Sequence, residues 1–240
     1  MTKEELQNFI ESYCKRLTFI NDCFELYKHL INCKKEYIKE INEFPAFYQL
    51  SLKSFLHNVI IELAKIYDFS TEKNATGLIK LLNLCESNTN IFLRKYSYEI
   101  TDYYPNKTPQ TCTESIDVRC DIKKARETLE SKKLNDIRDK LRGQRDKFYA
   151  HLDKEYQMDS SKLINDFPLS YDEIKYLIST VEGICNDLLY DLCRTTYVCQ
   201  TSNWNDIDNV LSVMKKYRKI RDEEFNKEIE KMRQRSESQS

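Results

Sequence analysis

Residues 134–153 read LNDIRDKLRGQRDKFYAHLD. Leu134, Leu141 and Phe148 recur every seventh position, and Ile137, Gln144 and His151 do the same with an offset of three. The two series share one face of a helix, like the seam positions of a coiled coil. Gln144 and His151 are polar on that face, and Arg145 stands beside Gln144. Burying such groups costs free energy unless they are hydrogen-bonded or paired. His151 is therefore either a locally satisfied packing residue or a group held in place for chemistry. Imidazole gains and loses protons near neutral pH, and guanidinium offers a permanent forked charge to an oxyanion. A site containing both can move protons beside a stabilised phosphate. Six residues apart on a helix, Arg145 and His151 lie about 120° apart and about 9 Å along the axis. They converge through the reach of arginine, through a helix that ends near His151, or by pairing with a second copy of the same helix across a twofold axis.

The stretch Arg145-Asp146-Lys147-Phe148-Tyr149-Ala150-His151 resembles the Arg–polar–spacer–His motif of the HEPN superfamily (higher eukaryotes and prokaryotes nucleotide-binding). The form RDKxxAHxD is similar to the branch found in bacterial abortive-infection systems. Arg145 matches the motif arginine, Asp146 the polar residue after it, and His151 the motif histidine. The resemblance implies an all-α up-and-down helical bundle that dimerises through its motif helices. It also implies a metal-independent endoribonuclease of phage-defence or toxin type, with one composite Arg/His site per homodimer and RNA as substrate. An antitoxin or regulatory partner belongs to the same expectation. The alternative is a non-catalytic HEPN module that binds RNA, a nucleotide or a protein partner. Arg145, His151 and Asp146 are the expected catalytic set; Arg142, Gln144, Lys147 and Tyr149 are the expected substrate contacts. Some members carry a modified tyrosine two residues after the histidine. Asp153 stands there in this chain, which argues against control by that route.

These residues need helices to carry them, and the composition supplies helices. The 240 residues include three glycines and four prolines, too few for the closely spaced turns of a β-sandwich or barrel. Thr2-x-x-Glu5 and Ser170-x-x-Glu173 are capping boxes. A periodic apolar stripe from Leu6 predicts a first helix reaching about Ile41, and Pro45 marks the start of a second over about 46–67. Ser70 to Asn74 reads as a separator. Short helices are predicted over about 75–86 and 88–101, a long loop over 102–120, and one long helix, capped by Asp121, over about 122–151. Loop follows over 157–169, a helix from Ser170 to about 198, a turn at Ser202 to Asn205, and a last helix over about 206–233 before a fraying Ser-rich tail. The expected division is a HEPN-like bundle over 1–200, with an extra charged C-terminal helix and disordered tail over 201–240.

Net charge is −1, but residues 123–147 carry +5 and residues 214–235 carry +4. The first segment would draw RNA through salt-sensitive backbone contacts, while the second reads mainly as a solvated face. Residues 1–20 hold charges throughout with no apolar signal core, and the longest aliphatic run is Val59-Ile60-Ile61. A cytoplasmic protein with no membrane partner and nine reduced thiols is the expectation. His29 and Cys33 share the i, i+4 spacing of a two-ligand metal half-site, but no further ligand cluster accompanies them in sequence, so neither metal nor other cofactor is expected. His57 reads as a packing residue. The isolated glycines 77, 143 and 183 form no phosphate-cradling loop; Gly143 either kinks its helix, permits a close helix approach or is simply tolerated, and Gly183 is read in the same way.

Overall fold

The computed structural model describes residues 1–69, 77–93, 95–100, 110–150, 154, 158, 160–199 and 206–237. The class is the all-α one expected, with one small addition. Helices α1 (Lys3–Cys33), α2 (Ile38–Glu43), α3 (Pro45–Ile66) and α4 (Leu78–Ser87) are followed by a two-stranded hairpin, β1 (Lys95–Ile100) and β2 (Gln110–Ser115). Then come α5 (Val118–Leu129), α6 (Lys132–Gln144), a π-helical turn (Arg145–Ala150), α7 (Ser160–Asp166), α8 (Tyr171–Cys193) and α9 (Asp206–Glu237). Among the described residues, no helix is long and apolar enough to cross a membrane.

Local chemistry explains the ends that were legible. Thr2 and Glu5 exchange side-chain and backbone hydrogen bonds at the head of α1, and Ser170 and Glu173 do the same at the head of α8. Pro45 is the first residue of α3, where its missing N–H costs nothing. Four expectations are corrected. The first helix stops at Cys33, and a turn separates it from α2. The helix predicted over 88–101 gives way to a short 3-10 turn at Thr89–Ile91 and to strand β1, which pairs antiparallel with β2 from Lys95↔Ser115 to Ile100↔Gln110. Tyr, Thr and Ile favour this extended pairing, and the Ser97 and Thr113 hydroxyls meet across it at 2.9 Å. The single helix predicted over 122–151 is two helices and a π turn: Asp117, not Asp121, caps α5, and Ser131 caps a fresh start at α6. Helix α7 occupies part of the loop predicted over 157–169. The separator Ser70 to Asn74, residues 101–109 of the long loop, the turn Ser202 to Asn205 and the last three residues lie outside the described residues.

The chain divides into two compact units, residues 1–21 with 58–200, and residues 22–57 with 201–240. The linear division at residue 200 thus differs from the structure, where the C-terminal helix shares a unit with residues 22–57. In the first unit the apolar faces of α1, α3, α4, α5, α6 and α8 bury Leu6, Ile10, Ile60, Leu63, Leu81, Leu129, Leu141 and Leu177 among others. In the second, Leu30, Tyr48 and Leu211 form a small core. The basic side of α9 is not simply solvated there: Lys215, Arg218 and Arg221 pair with Glu36, Glu40 and Glu43, and Glu40 is buried.

Beside the hairpin, Asp117, Asp121, Asp187, Asp191 and Arg194 line a cavity of about 380 Å³ in the first unit. Asp191 is 6% exposed, and its Oδ2 has no hydrogen-bond partner among the described residues. Burial first, then a hydrogen bond to the Asp121 carboxyl and the charges of Asp121 and Asp187, push its carboxyl up to about 7; Arg194 opposes the shift. The folded state therefore binds this proton more tightly than the unfolded chain. The stability it contributes is complete at low pH and is lost as pH rises through about 7. Asp191→Asn is expected to melt above the wild type at pH values above about 7, the gap narrowing as pH falls toward about 5. Thermal melts of both proteins across that range measure it, and a gap independent of pH would contradict the assignment.

Candidate functional site

Helix α6 delivers the motif. Ser131 Oγ accepts from the Leu134 N–H at its head, and Leu134, Ile137, Leu141 and Gln144 are buried along one face, which is the seam read from the sequence. Two contacts with Phe167 lock its end. A Cβ added at Gly143 would meet the Phe167 ring at 2.2 Å, so this glycine serves close approach. The next residue, Gln144, donates from Nε2 to the Phe167 carbonyl at 2.8 Å. Gly183, by contrast, has nothing within 4 Å of such a Cβ among the described residues, so close packing is not its role. Immediately after Gln144 the backbone widens into the π turn that carries Arg145 to Ala150. Such local widenings recur at functional sites because they re-aim side chains without ending the helix.

Arg138, Arg142 and Arg145 follow one another at spacings of four and three, the spacing of neighbours on one helix face. They line a cavity of about 380 Å³ with Leu141, and the facing wall is Ala64, Tyr67, Asp68 and Phe69 at the end of α3. That volume lies within the ~300–1,000 Å³ of small-molecule sites. The wall is anchored twice. Tyr67 donates its hydroxyl to the Leu177 carbonyl at 2.7 Å, and Gly77 leaves room for the Asp68 carbonyl, which a Cβ would meet at 1.9 Å. The Arg138 guanidinium lies 4.1 Å from the Phe69 ring centre, and its buried Nη1 has no hydrogen-bond partner among the described residues. Asp146 holds the other two arginines, with Oδ1 at 2.6 Å from Arg145 Nε and Oδ2 at 3.5 Å from Arg142 Nε.

The basic segment around these arginines is largely neutralised by its own surroundings. Lys124 pairs with Asp121, Arg126 with Glu86 and Asn83, and Lys140 with Glu173. Lys133 sits 3.8 Å from the Tyr176 ring centre. Part of the positive charge read along residues 123–147 is thus paired with carboxylates, while Arg138, Arg142 and Arg145 are gathered at the cavity.

Of the residues singled out in the sequence, Arg142, Arg145 and Asp146 come together here. Gln144 is not part of the cavity lining: it is buried, and its Nε2 donates to the Phe167 carbonyl. Lys147 lies half-buried in the π turn and is not part of the cavity wall. His151, the Tyr149 side chain and Asp153 lie outside the described residues. Sequence reasoning missed Arg138, although its spacing from Arg142 and Arg145 was there to read. It also missed Tyr67 and Phe69, which reach the site by tertiary packing alone. The lining offers an oxyanion three guanidinium groups, Arg138 among them with a buried Nη1 that has no partner among the described residues, beside the single carboxyl of Asp68.

Comparison with known proteins gives one finding. The family model HEPN_AbiU2, described as AbiU2, matches residues 3–210. No curated protein and no solved structure matches the chain.

The contact between Gly143 and Phe167 has a direct consequence. Gly143→Ala forces the Phe167 ring away from the end of α6 and is expected to cost about 1–3 kcal/mol, the usual range for overpacking. Denaturant unfolding measures this, and an unchanged midpoint would contradict the close approach.

Proposed function

The chain belongs to the AbiU2 family of the HEPN superfamily, an abortive-infection-type family, and from that premise we propose that it is an endoribonuclease working without a catalytic metal ion. The observation that carries the proposal is the cavity in which Arg138, Arg142 and the motif residue Arg145 converge. In this reading RNA threads past the cavity with its phosphates on the guanidinium groups. His151 of one copy removes the proton from a 2′-hydroxyl. That oxygen attacks the adjacent phosphorus, the bond from phosphorus to the 5′-oxygen breaks, and an imidazolium of the second copy protonates the departing oxygen. Arg145 faces the charge that grows on the phosphorane, oriented by Asp146. Two histidines are needed and the motif supplies one per chain, which is why the site is proposed to be shared across a homodimer. Lys147, Tyr149 and Gln144 remain proposed RNA contacts, with one N–H of the Gln144 amide on the Phe167 carbonyl. The proposed setting is the cytoplasm, in defence against phage or as a toxin restrained by a partner.

Purified protein incubated with total RNA in the presence of EDTA tests this. The wild type is expected to release fragments ending in a 2′,3′-cyclic phosphate. Arg145→Ala and His151→Ala, still folded and dimeric, are expected to be slower by about 10²-fold or more. Undiminished cleavage by either variant, or loss of wild-type cleavage in EDTA, would reject the mechanism. RNA binding without cleavage by the wild type would favour the non-catalytic alternative.

A further inference from the structure

His29 and Cys33 lie one turn apart on α1, and Asp208 lies in the first turn of α9, all within the second unit. The His29 Nε2 is 2.9 Å from Asp208 Oδ1. The Cys33 Sγ is 3.4 Å from that imidazole nitrogen and 3.4 Å from the same carboxylate oxygen. Three lone-pair atoms of different chemistry thus face one another from two helices. Protonated, the imidazole N–H and the thiol S–H can serve these contacts as hydrogen bonds; deprotonated, the same three atoms offer their lone pairs to a single cation. Ligand bonds of about 2.0 Å to nitrogen and oxygen and 2.3 Å to sulfur make the edges of a tetrahedron roughly 3.3–3.5 Å long. The sulfur edges are within about 0.1 Å of their ideal of about 3.5 Å, and the nitrogen–oxygen edge, ideally about 3.3 Å, needs to open by about 0.4 Å.

We propose that His29, Cys33 and Asp208 bind a divalent transition-metal ion, Zn²⁺ by ligand preference, that ties α9 to α1. The donor set of thiolate, imidazole and carboxylate is the borderline-soft one that zinc favours over magnesium or calcium. The fourth position is left for water, and the side chains of His29 and Asp208 are 19% and 40% exposed, so an ion reaches the site from solvent. On the inner side Cys33 and Ile207 pack against the apolar cluster of Leu30, Tyr48 and Leu211, which supplies a dry wall. The place in the fold gives the ion a purpose. Asp208 heads a stripe of α9 that continues through buried Leu211 and then Lys215, Arg218 and Arg221 on the acids of the α2 region. An ion at Asp208 completes that attachment at the N-terminal end of α9, where the ion-pair ladder does not reach. The site is independent of the RNA reaction proposed above.

Titration of the full-length protein with Co²⁺, followed by absorption, tests the site. One equivalent per chain is expected to produce a thiolate-to-cobalt charge-transfer band with tetrahedral ligand-field bands, both abolished by adding Zn²⁺. Cys33→Ser is expected to lose the charge-transfer band, and His29→Gln and Asp208→Asn to weaken binding by about tenfold or more. Far-ultraviolet circular dichroism checks that each variant is folded; if Cys33→Ser is not, His29→Gln carries the comparison. Absence of the bands in the wild type would overturn the proposal, as would an undiminished charge-transfer band in Cys33→Ser or undiminished affinity in His29→Gln.

Discussion

Three guanidinium groups on one helix face repel one another, and the site is organised around what offsets that repulsion. Arg142 and Arg145 share the single carboxylate of Asp146, one oxygen each. Arg138 has no carboxylate partner among the described residues; it lies against the face of Phe69, where the ring quadrupole attracts it. One of its nitrogens is buried with no acceptor among the described residues. A buried charged donor without an acceptor is costly, and the cation–π contact recovers a part of that cost. An incoming phosphate would complete the set.

The scaffold keeps those charges together. Helix α6 restarts at Ser131, so its buried face is set independently of α5. Its far end is pinned by Gly143 and Gln144 against Phe167, one through shape and one through a hydrogen bond. The opposite wall is fixed by the hydrogen bond from Tyr67 to the Leu177 carbonyl of α8 and by the close pass of Gly77 under Asp68. Rigid elements on both sides hold the guanidinium groups near the geometry a phosphate requires, which reduces the reorganisation that binding would otherwise demand.

What was legible in the sequence was local. The capping boxes at Thr2 and Ser170, the proline entry to α3 and the seam of Leu134, Ile137, Leu141 and Gln144 depend on neighbours a few residues apart. The motif arginine and its aspartate were legible for the same reason. The break at Glu130–Ser131 was hidden because the apolar period runs through it with no glycine or proline to mark it. The hairpin was hidden because β1 gains its partner across a long connection, and strand pairing of that kind leaves little trace in one strand alone. Gln144 shows the limit of such reading, because polarity on a packed face looks the same whether the partner is a ligand or the carbonyl of Phe167, to which its Nε2 donates. Phe69 and Asp208 reach their partners only through the fold, so no spacing could announce them.

The proposed function turns on Arg138, Arg142 and Arg145 acting as one phosphate-binding surface, beside Lys140, which is paired with Glu173. The salt dependence of binding to a 2′-O-methylated, uncleavable oligoribonucleotide measures it most directly. Each phosphate contact on a single strand contributes about 0.7 to the slope of log affinity against log salt. Arg138→Gln is expected to lower that slope by about this amount, while Lys140→Gln, whose charge is held by Glu173, leaves it nearly unchanged. Equal slopes for wild type and Arg138→Gln would contradict the account.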